Sequence, residues 1–476
     1  MKVTWLEHIN AVHRDNDRPA VLDSTGTVSG RALVAKAAYA AELLHELEPT
    51  SGRAVPALLT TNADALALLL AGAAADRPLA PLGPRLTPAE LAAAIAAAGA
   101  RIFLTEKAFA ETARQAAALA DVRVVTLEPL LTSATGLTQS GEVAFYLHTA
   151  GTTGAPKRVG FTSPVLLARG ELLTELVGFG GGDRYATGSP IHHIGGVGNV
   201  LAALSVGAAV LPTTNFSVDW WRTLGDAQVT HCLLVPSMID ILLNENLLDA
   251  VPLRTLVYGA SPITEDTLSR VLHTLPAARV VSLFGQTEGS PITSLGPEDH
   301  RRAMRGAPHL LRTVGRAVPG LRLALDHPDT TGAGEVLASA PHLAVHASDG
   351  WLHTGDLGRI DTDGYLHLIG RSHDMVIRGG ENVYPVEVEN VLCSHPRVAA
   401  AAVIGVADAR LGETIAAFIV PADFRDPPDV KDLRSFTRAR LAGFKVPATW
   451  TLVDRLPHNS AGKLNRIALR QANDRR

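Results

Sequence analysis

Cysteine is almost missing from this sequence. Cys232 and Cys393 are the only two among 476 residues, too few for a disulfide framework and without the CxxC or His-rich spacing of a metal site. Both are expected as small buried apolar residues, in a protein of the reducing cytoplasm. A charge surplus is missing too: 43 Lys and Arg against 47 Asp and Glu leave a formal charge of -4. General nucleic-acid binding, which draws on a basic surface, is therefore not expected. Nor is there a long apolar run. The longest, Ala65 to Ala75, lies between Asp64 and Asp76, far short of the roughly 20 residues that cross a bilayer. It reads as a buried helix. The opening MKVTWLEHINAVHRDND turns polar too soon for a signal peptide, so no membrane insertion is expected. Lysine is scarce as well, with only Lys2, Lys36, Lys107, Lys157, Lys431, Lys445 and Lys463.

What remains is an ordinary globular composition, 46% hydrophobic and 19% charged, in a chain too long for one compact core. Thr87-Pro88-Ala89-Glu90 combines a cap, a first-turn proline and a glutamate that reaches back, the start of a helix ending at Gly99. Arg101 to Leu104 follows as a short strand, then an Ala-rich helix from about Lys107 and a strand at Val122 to Thr126. The rhythm returns between 185 and 295, where Ala208 to Leu211, His231 to Val235, Leu256 to Tyr258 and Val280 to Phe284 read as buried strands. Such alternation predicts parallel sheets with helices on both faces. Gly and Asp turns between short strands from about 300 to 370 predict a small β-rich subdomain. Beyond Arg371, a helix from Pro385, strands at Val398 to Ile404 and Ile415 to Val420, and a helix from about Val430 predict a mixed α+β unit. Pro421 to Pro428 reads as a surface loop. The expected fold class is α/β: a large N-terminal domain (1–370) of two doubly wound parallel-type sheet subdomains plus the β-rich subdomain, then a C-terminal α+β domain (374–476).

One run points to phosphate. His148-Thr149-Ala150-Gly151-Thr152-Thr153-Gly154-Ala155-Pro156-Lys157 follows a plausible strand, Val143 to Leu147. Glycines and small hydroxyl residues let backbone N–H groups close around phosphate oxygens, and a lysine adds a point charge. A Walker loop is excluded, because that motif places lysine directly after glycine; here Pro156 precedes Lys157 and Arg158 follows.

The order instead resembles the Ser/Thr-rich phosphate loop of the acyl-adenylate-forming superfamily, which holds acyl- and aryl-CoA synthetases, peptide-synthetase adenylation domains and luciferase. Further motifs resemble that family in its own order, from about residue 20 to 470. Leu283-Phe284-Gly285-Gln286-Thr287-Glu288 is similar to its aromatic-Gly-x-Thr-Glu signature, with Phe284 where tyrosine is usual. The resemblance implies adenine against Phe284 and Gly285, Thr287 near the α-phosphate, and Glu288 as the Mg²⁺ ligand. Thr149, Gly151, Thr152, Thr153, Gly154 and Lys157 would hold the β- and γ-phosphates. Gly259-Ala260-Ser261-Pro262 resembles the loop beneath adenine and acyl group. Trp351-Leu352-His353-Thr354-Gly355-Asp356 resembles the Trp-x-x-Thr-Gly-Asp motif, so Asp356, with Arg371, would bind the ribose hydroxyls.

By the same resemblance, residues 371–373 form a hinge to a mobile C-terminal domain, with His373 where Asp or Lys is usual. Gly379, Gly380 and Lys445 would border the pantetheine passage. Lys463, in Leu456-Pro457-His458-Asn459-Ser460-Ala461-Gly462-Lys463, would be the catalytic lysine of adenylation. In a chain so poor in lysine, its presence at both positions the family requires, Lys157 and Lys463, strengthens the match. Pro190-Ile191-His192-His193-Ile194-Gly195-Gly196 resembles the segment lining the acyl pocket, where His193, Gly195 and Gly196 join Gly259, Gly285 and Ser290. The implied activity converts a small carboxylic acid and ATP, with Mg²⁺, to an acyl-AMP and then to a coenzyme A thioester, in a monomer or homodimer. An acyl carrier protein as acceptor, and an o-succinylbenzoate-CoA ligase-like substrate, stay open as alternatives. Ala150 and Arg158 also depart from the family pattern.

Overall fold

The computed structural model describes residues 3–133, 136–149, 157–261, 263–371, 374–378, 381–408, 410–458 and 464–474. Their contacts form two compact units: Met1–Arg322 with Ser339–Leu352, and Leu323–Ala338 with His353–Arg476.

The first unit is built on two sheets. Nine strands run in the order Arg316–Ala317, Gly289–Leu295, Arg279–Gln286, Thr255–Gly259, His231–Leu234, Arg184–Thr187, Ala209–Pro212, Pro19–Asp23 and Gly26–Ser29. The interior pairs are parallel and the pairs at both edges antiparallel. The six-stranded sheet is ordered Arg123–Thr126, Ile102–Thr105, Val55–Leu58, Leu79–Pro81, Val143–Thr149 and Lys157–Thr162. The strands expected as buried runs are found because both their faces are covered, as in His231–Leu234 and Ile102–Thr105, where every residue is buried. The N-terminal hairpin and the short outer strand Arg316–Ala317 were not foreseen; the sheet's two edge strands, Gly26–Ser29 and Arg316–Ala317, are exposed or part-buried and their apolar signal is weak.

Local chemistry explains the helices between them. Thr87 accepts from the Glu90 N–H at 3.3 Å, and Glu90 accepts from the Thr87 N–H at 2.7 Å, a complete capping box starting helix Pro88–Ala97. The apolar run forms helix Ala63–Ala75, capped by Asn62 and buried nearly all round. Each fully buried leucine in it, such as Leu66 or Leu69, contributes about 2 kcal/mol through apolar burial. Among the described residues no helix is long and apolar enough to cross a membrane. Cys232 is buried as expected, but Cys393 is exposed, because it ends helix Pro385–Cys393 on the face turned away from the core.

The second unit holds most of a four-stranded sheet, Arg322–Asp326, Gly334–Ser339, Leu352–Ile360 and Leu366–Arg371, the last two antiparallel. It also holds a five-stranded sheet in which Gly412–Pro421 pairs with Val376–Arg378, Val398–Asp408 and Thr449–Leu452. Helices Pro385–Cys393 and Val430–Arg438 pack on it through Val388, Leu392 and Leu433. Of the β-rich stretch, Leu323–Ala338 and the residues from His353 on group with the C-terminal part of the chain, and the rest with the first unit.

Candidate active site

Parallel strands deliver their following loops to one edge of a sheet, where ligands bind in open α/β folds. In the nine-stranded sheet Gly259 pairs with Leu283, and Leu233 with Thr187. The segments after these strands, Gly188 to His193, Ala260 to Ser261 and Thr287 to Glu288, therefore emerge on the same side. Thr287 and Glu288 form the two-residue turn of the hairpin in which Gln286 pairs with Gly289. The Glu288 carbonyl accepts from the Ala344 and Val345 N–H groups at 3.0 and 3.1 Å, which fixes the turn.

Thr149 ends its strand of the six-stranded sheet, and its hydroxyl donates to Glu288 Oε1 at 3.2 Å. Two motif residues 139 positions apart are thereby brought together from separate sheets. Thr149 is also the register partner of Lys157, an exposed residue opening the next strand. Gly151, Thr152, Thr153 and Gly154 lie outside the described residues.

The glycines of the motifs serve close backbone packing. A Cβ on Gly259 would meet the Leu283 carbonyl at 2.3 Å, one on Gly196 the Pro190 carbonyl at 2.2 Å, and one on Gly285 the Gly289 carbonyl at 2.8 Å. Gly195 differs, its nearest neighbour being Ser189 Oγ at 3.7 Å. Ala260 holds φ at +70°, a conformation that costs a non-glycine residue energy and that clusters at ligand sites. Ser261, Phe284 and Ser290 are part-buried beside it in sequence or along the neighbouring hairpin. His193 caps helix Ile194–Ser205, and its ring lies 4.3 Å from that of His192. Burial, then the neighbouring His193 and Arg85, pushes His192 down to about 3, so it stays neutral in ordinary buffers. His192 was passed over in the sequence, although the His-His doublet was the available signal.

In the second unit, Arg371 Nε lies 2.9 Å from Asp356 Oδ1, joining the two residues expected at the ribose. Asp356 is only 6% exposed. Its N–H donates to Thr354 Oγ1 at 3.0 Å, and Gly355 turns at φ +68° with its N–H donating to Glu335 Oε1 at 2.8 Å. The Thr-Gly-Asp sequence is thus a fixed stretch of strand Leu352–Ile360, kinked at Gly355, that presents one carboxylate. Lys445 Nζ donates to both Glu387 carboxylate oxygens at 2.7 and 2.6 Å. No sequence signal pointed to Glu387 as that partner. Asp326, Glu335 and His353 place ligand atoms within 4.8 Å of one another on the four-stranded sheet. His373, Gly379, Gly380 and Lys463 lie outside the described residues.

Residues 9–345 match the model of the AMP-binding enzyme family, and residues 387–463 that of the AMP-binding enzyme C-terminal domain. The chain belongs to the AMP-binding enzyme family. A 2-succinylbenzoate–CoA ligase of Bacillus licheniformis is 33% identical over 460 residues, covering 90% of this chain and 93% of the relative. A fatty acid–[acyl-carrier-protein] ligase, ScoC of Streptomyces coeruleorubidus, is 35% identical over 352 residues, 68% of this chain. That match spans just under two thirds, 66%, of the relative's length. Among solved structures, the amide bond synthetase McbA of Marinactinospora thermotolerans superposes with a TM-score of 0.87 at 28% identity, over 98% of this chain and 99% of that one. This AMP-binding enzyme therefore shares the whole architecture of the family, with both sheets of the first unit and the smaller C-terminal fold as expected.

The donors present suit what that family binds. Glu288 offers a part-buried carboxylate held by Thr149, an oxygen donor of the kind hard divalent cations prefer. Asp356 offers a buried, charge-paired carboxylate on a strand, suited to accepting from vicinal hydroxyls.

Proposed function

We propose that this AMP-binding enzyme joins a small carboxylic acid to ATP as an acyl-AMP, releasing pyrophosphate, and passes the acyl group to the thiol of coenzyme A. A carboxylate oxygen attacks the α-phosphorus as the bond to pyrophosphate breaks. The thiolate then attacks the acyl carbon and AMP departs. Acyl-AMP formation replaces an oxide leaving group with a stabilised phosphate, which makes the second step accessible.

The observation that carries this reading is the Thr149–Glu288 contact, which unites the end of the phosphate-loop strand with the carboxylate turn. Glu288 anchors Mg²⁺, which screens phosphate charge when bound. Thr149, with Gly151, Thr152, Thr153, Gly154 and Lys157, holds the phosphates. Thr287 faces the α-phosphate. Gly259, Ala260, Ser261, Phe284 and Gly285 receive the adenine, and Asp356 with Arg371 the ribose. His193, Gly195, Gly196 and Ser290 border the acyl group. Lys463 supplies positive charge at the carboxylate and α-phosphate in the first half-reaction. Residues 371–373 act as the hinge of a C-terminal domain from residue 374, and Gly379, Gly380 and Lys445 border the pantetheine arm. The setting is cytoplasmic.

A panel of carboxylic acids, assayed for acid-dependent pyrophosphate release with coenzyme A or a phosphopantetheinyl carrier as acceptor, tests the reading. Thioester on coenzyme A supports it. Acylation of the carrier alone, as the ScoC relationship would favour, replaces the acceptor and leaves adenylation standing.

A further inference from the structure

One side chain joins the two segments that the proposed activity sets beside the pantetheine arm. Arg378 ends strand Val376–Arg378 and is the register partner of Glu381, which opens the antiparallel strand Glu381–Val383. Gly379 and Gly380 are the residues between them. From this hairpin the Arg378 guanidinium donates through Nη1 to the Phe444 carbonyl at 2.7 Å and to the Val446 carbonyl at 3.0 Å. Those two carbonyls flank Lys445 and lie 66 and 68 positions away in the chain. Hydrogen bonds given by a cation are the strong kind, so the pair fixes the segment rather than merely touching it.

Lys445 is tied down at its ammonium as well. Its Nζ donates to Glu387 Oε1 at 2.7 Å and Oε2 at 2.6 Å, and the two side chains are part-buried, 21% and 33% exposed. Glu387 lies in the first turn of helix Pro385–Cys393, which starts just after the Glu381–Val383 strand. The segment so held, Gly443–Lys445, is a single tight turn, with the Lys445 N–H donating to the Ala442 carbonyl at 2.9 Å. Phe444 packs against the core that contains Val383, Val388 and Leu433. A turn this short has little hydrogen bonding of its own, and Arg378 and Glu387 supply the rest. An ammonium that shares both oxygens of a neighbouring carboxylate has its charge met inside the protein.

We infer that Arg378 and Glu387 are positioning residues of the thioester step. Together they hold the Gly443–Val446 segment to the hairpin that brackets Gly379 and Gly380, as one wall of the thiol passage. Lys445 is then a strut to Glu387 rather than a binder of coenzyme A phosphate. The inference rests on the acceptor reading proposed above and goes beyond it by naming what shapes the passage. A wall that shifts by about 1 Å misplaces the thiol at a cost on the order of 100-fold, while the attack of carboxylate on ATP does not depend on it.

The experiment supplies the acyl-AMP of an acid that wild type accepts and follows thioester formation with coenzyme A and with pantetheine, which lacks the nucleotide and its phosphates. Pyrophosphate release is measured beside it. Arg378→Met and Glu387→Gln are each expected to slow thioester formation about 10- to 100-fold with both thiols, and to leave pyrophosphate release within about two-fold. Arg378→Lys, which keeps a donor for one carbonyl, restores part of the loss. Should Arg378→Met not fold, Glu387→Gln decides. Unchanged thioester formation, or equal losses in both half-reactions of a folded variant, overturns the inference while the acceptor reading stands. So does a Glu387→Gln loss confined to coenzyme A, which would put the Lys445 charge on phosphate. A wild type that forms no thioester with coenzyme A would instead overturn the acceptor reading, and the inference with it.

Discussion

Thr149 donates its hydroxyl to the Glu288 carboxylate across 3.2 Å, from the last residue of one sheet's strand to the turn of a hairpin in another. The bond orients the Glu288 carboxylate through Oε1. Glu288→Gln is expected to lower pyrophosphate release at least 100-fold. Thr149→Val, which removes one hydrogen bond of about 1 kcal/mol, costs roughly five-fold and raises the Mg²⁺ concentration needed for half-maximal rate. In the Glu288→Gln background Thr149→Val adds nothing further. Additive losses across that double-mutant cycle would show that the two residues act separately.

The pairing of Asp356 with Arg371 at 2.9 Å makes a second prediction. Asp356→Ala raises the KM for ATP roughly 10- to 100-fold, the worth of charged hydrogen bonds to hydroxyls. Wild type discriminates against 2′-deoxy-ATP, and the variant does not. Retained discrimination in Asp356→Ala would place the ribose elsewhere.

How much of this was legible beforehand follows from where the information sits. Helix Pro88–Ala97 was readable because its capping box is local, and His231–Leu234 because a strand buried on both faces is a plain apolar run. The edge strands were not, since exposed edges carry little apolar signal. Motif residues such as Glu288 and Asp356 were found from their sequence context. Their partners differ: Thr149 and Arg371 were named separately, while Glu387 was not named at all. Long-range pairing depends on register between distant strands and helices, and no local pattern encodes it.

Lys463 is expected to separate the two half-reactions. Lys463→Ala loses acyl-AMP formation by at least about 100-fold yet still converts supplied acyl-AMP and coenzyme A to thioester. Comparable losses in both steps, measured by single-turnover assays, would remove the division of labour.

Acid stability follows from imidazoles in the first unit. Burial holds His148 and His300 down at about 4 and His192 at about 3. Between those values and about 6.5 the unfolded chain binds protons that the folded one refuses. Their contribution is therefore full above pH ~6.5 and lost as pH falls, each imidazole adding up to about 1.4 kcal/mol per pH unit. His300 accepts from the Tyr258 hydroxyl at 3.0 Å and donates to the Gly296 carbonyl at 2.7 Å. His300→Gln should flatten the fall in unfolding free energy between pH 6.5 and 4.5, measured by urea denaturation. An unchanged slope would mean that His300 titrates normally.

The most direct measurement is exchange of labelled pyrophosphate into ATP by the purified enzyme across an acid panel. The account predicts exchange that requires both acid and Mg²⁺, and that is abolished by Glu288→Gln. Exchange with no acid in the panel, or exchange indifferent to Glu288, would contradict it.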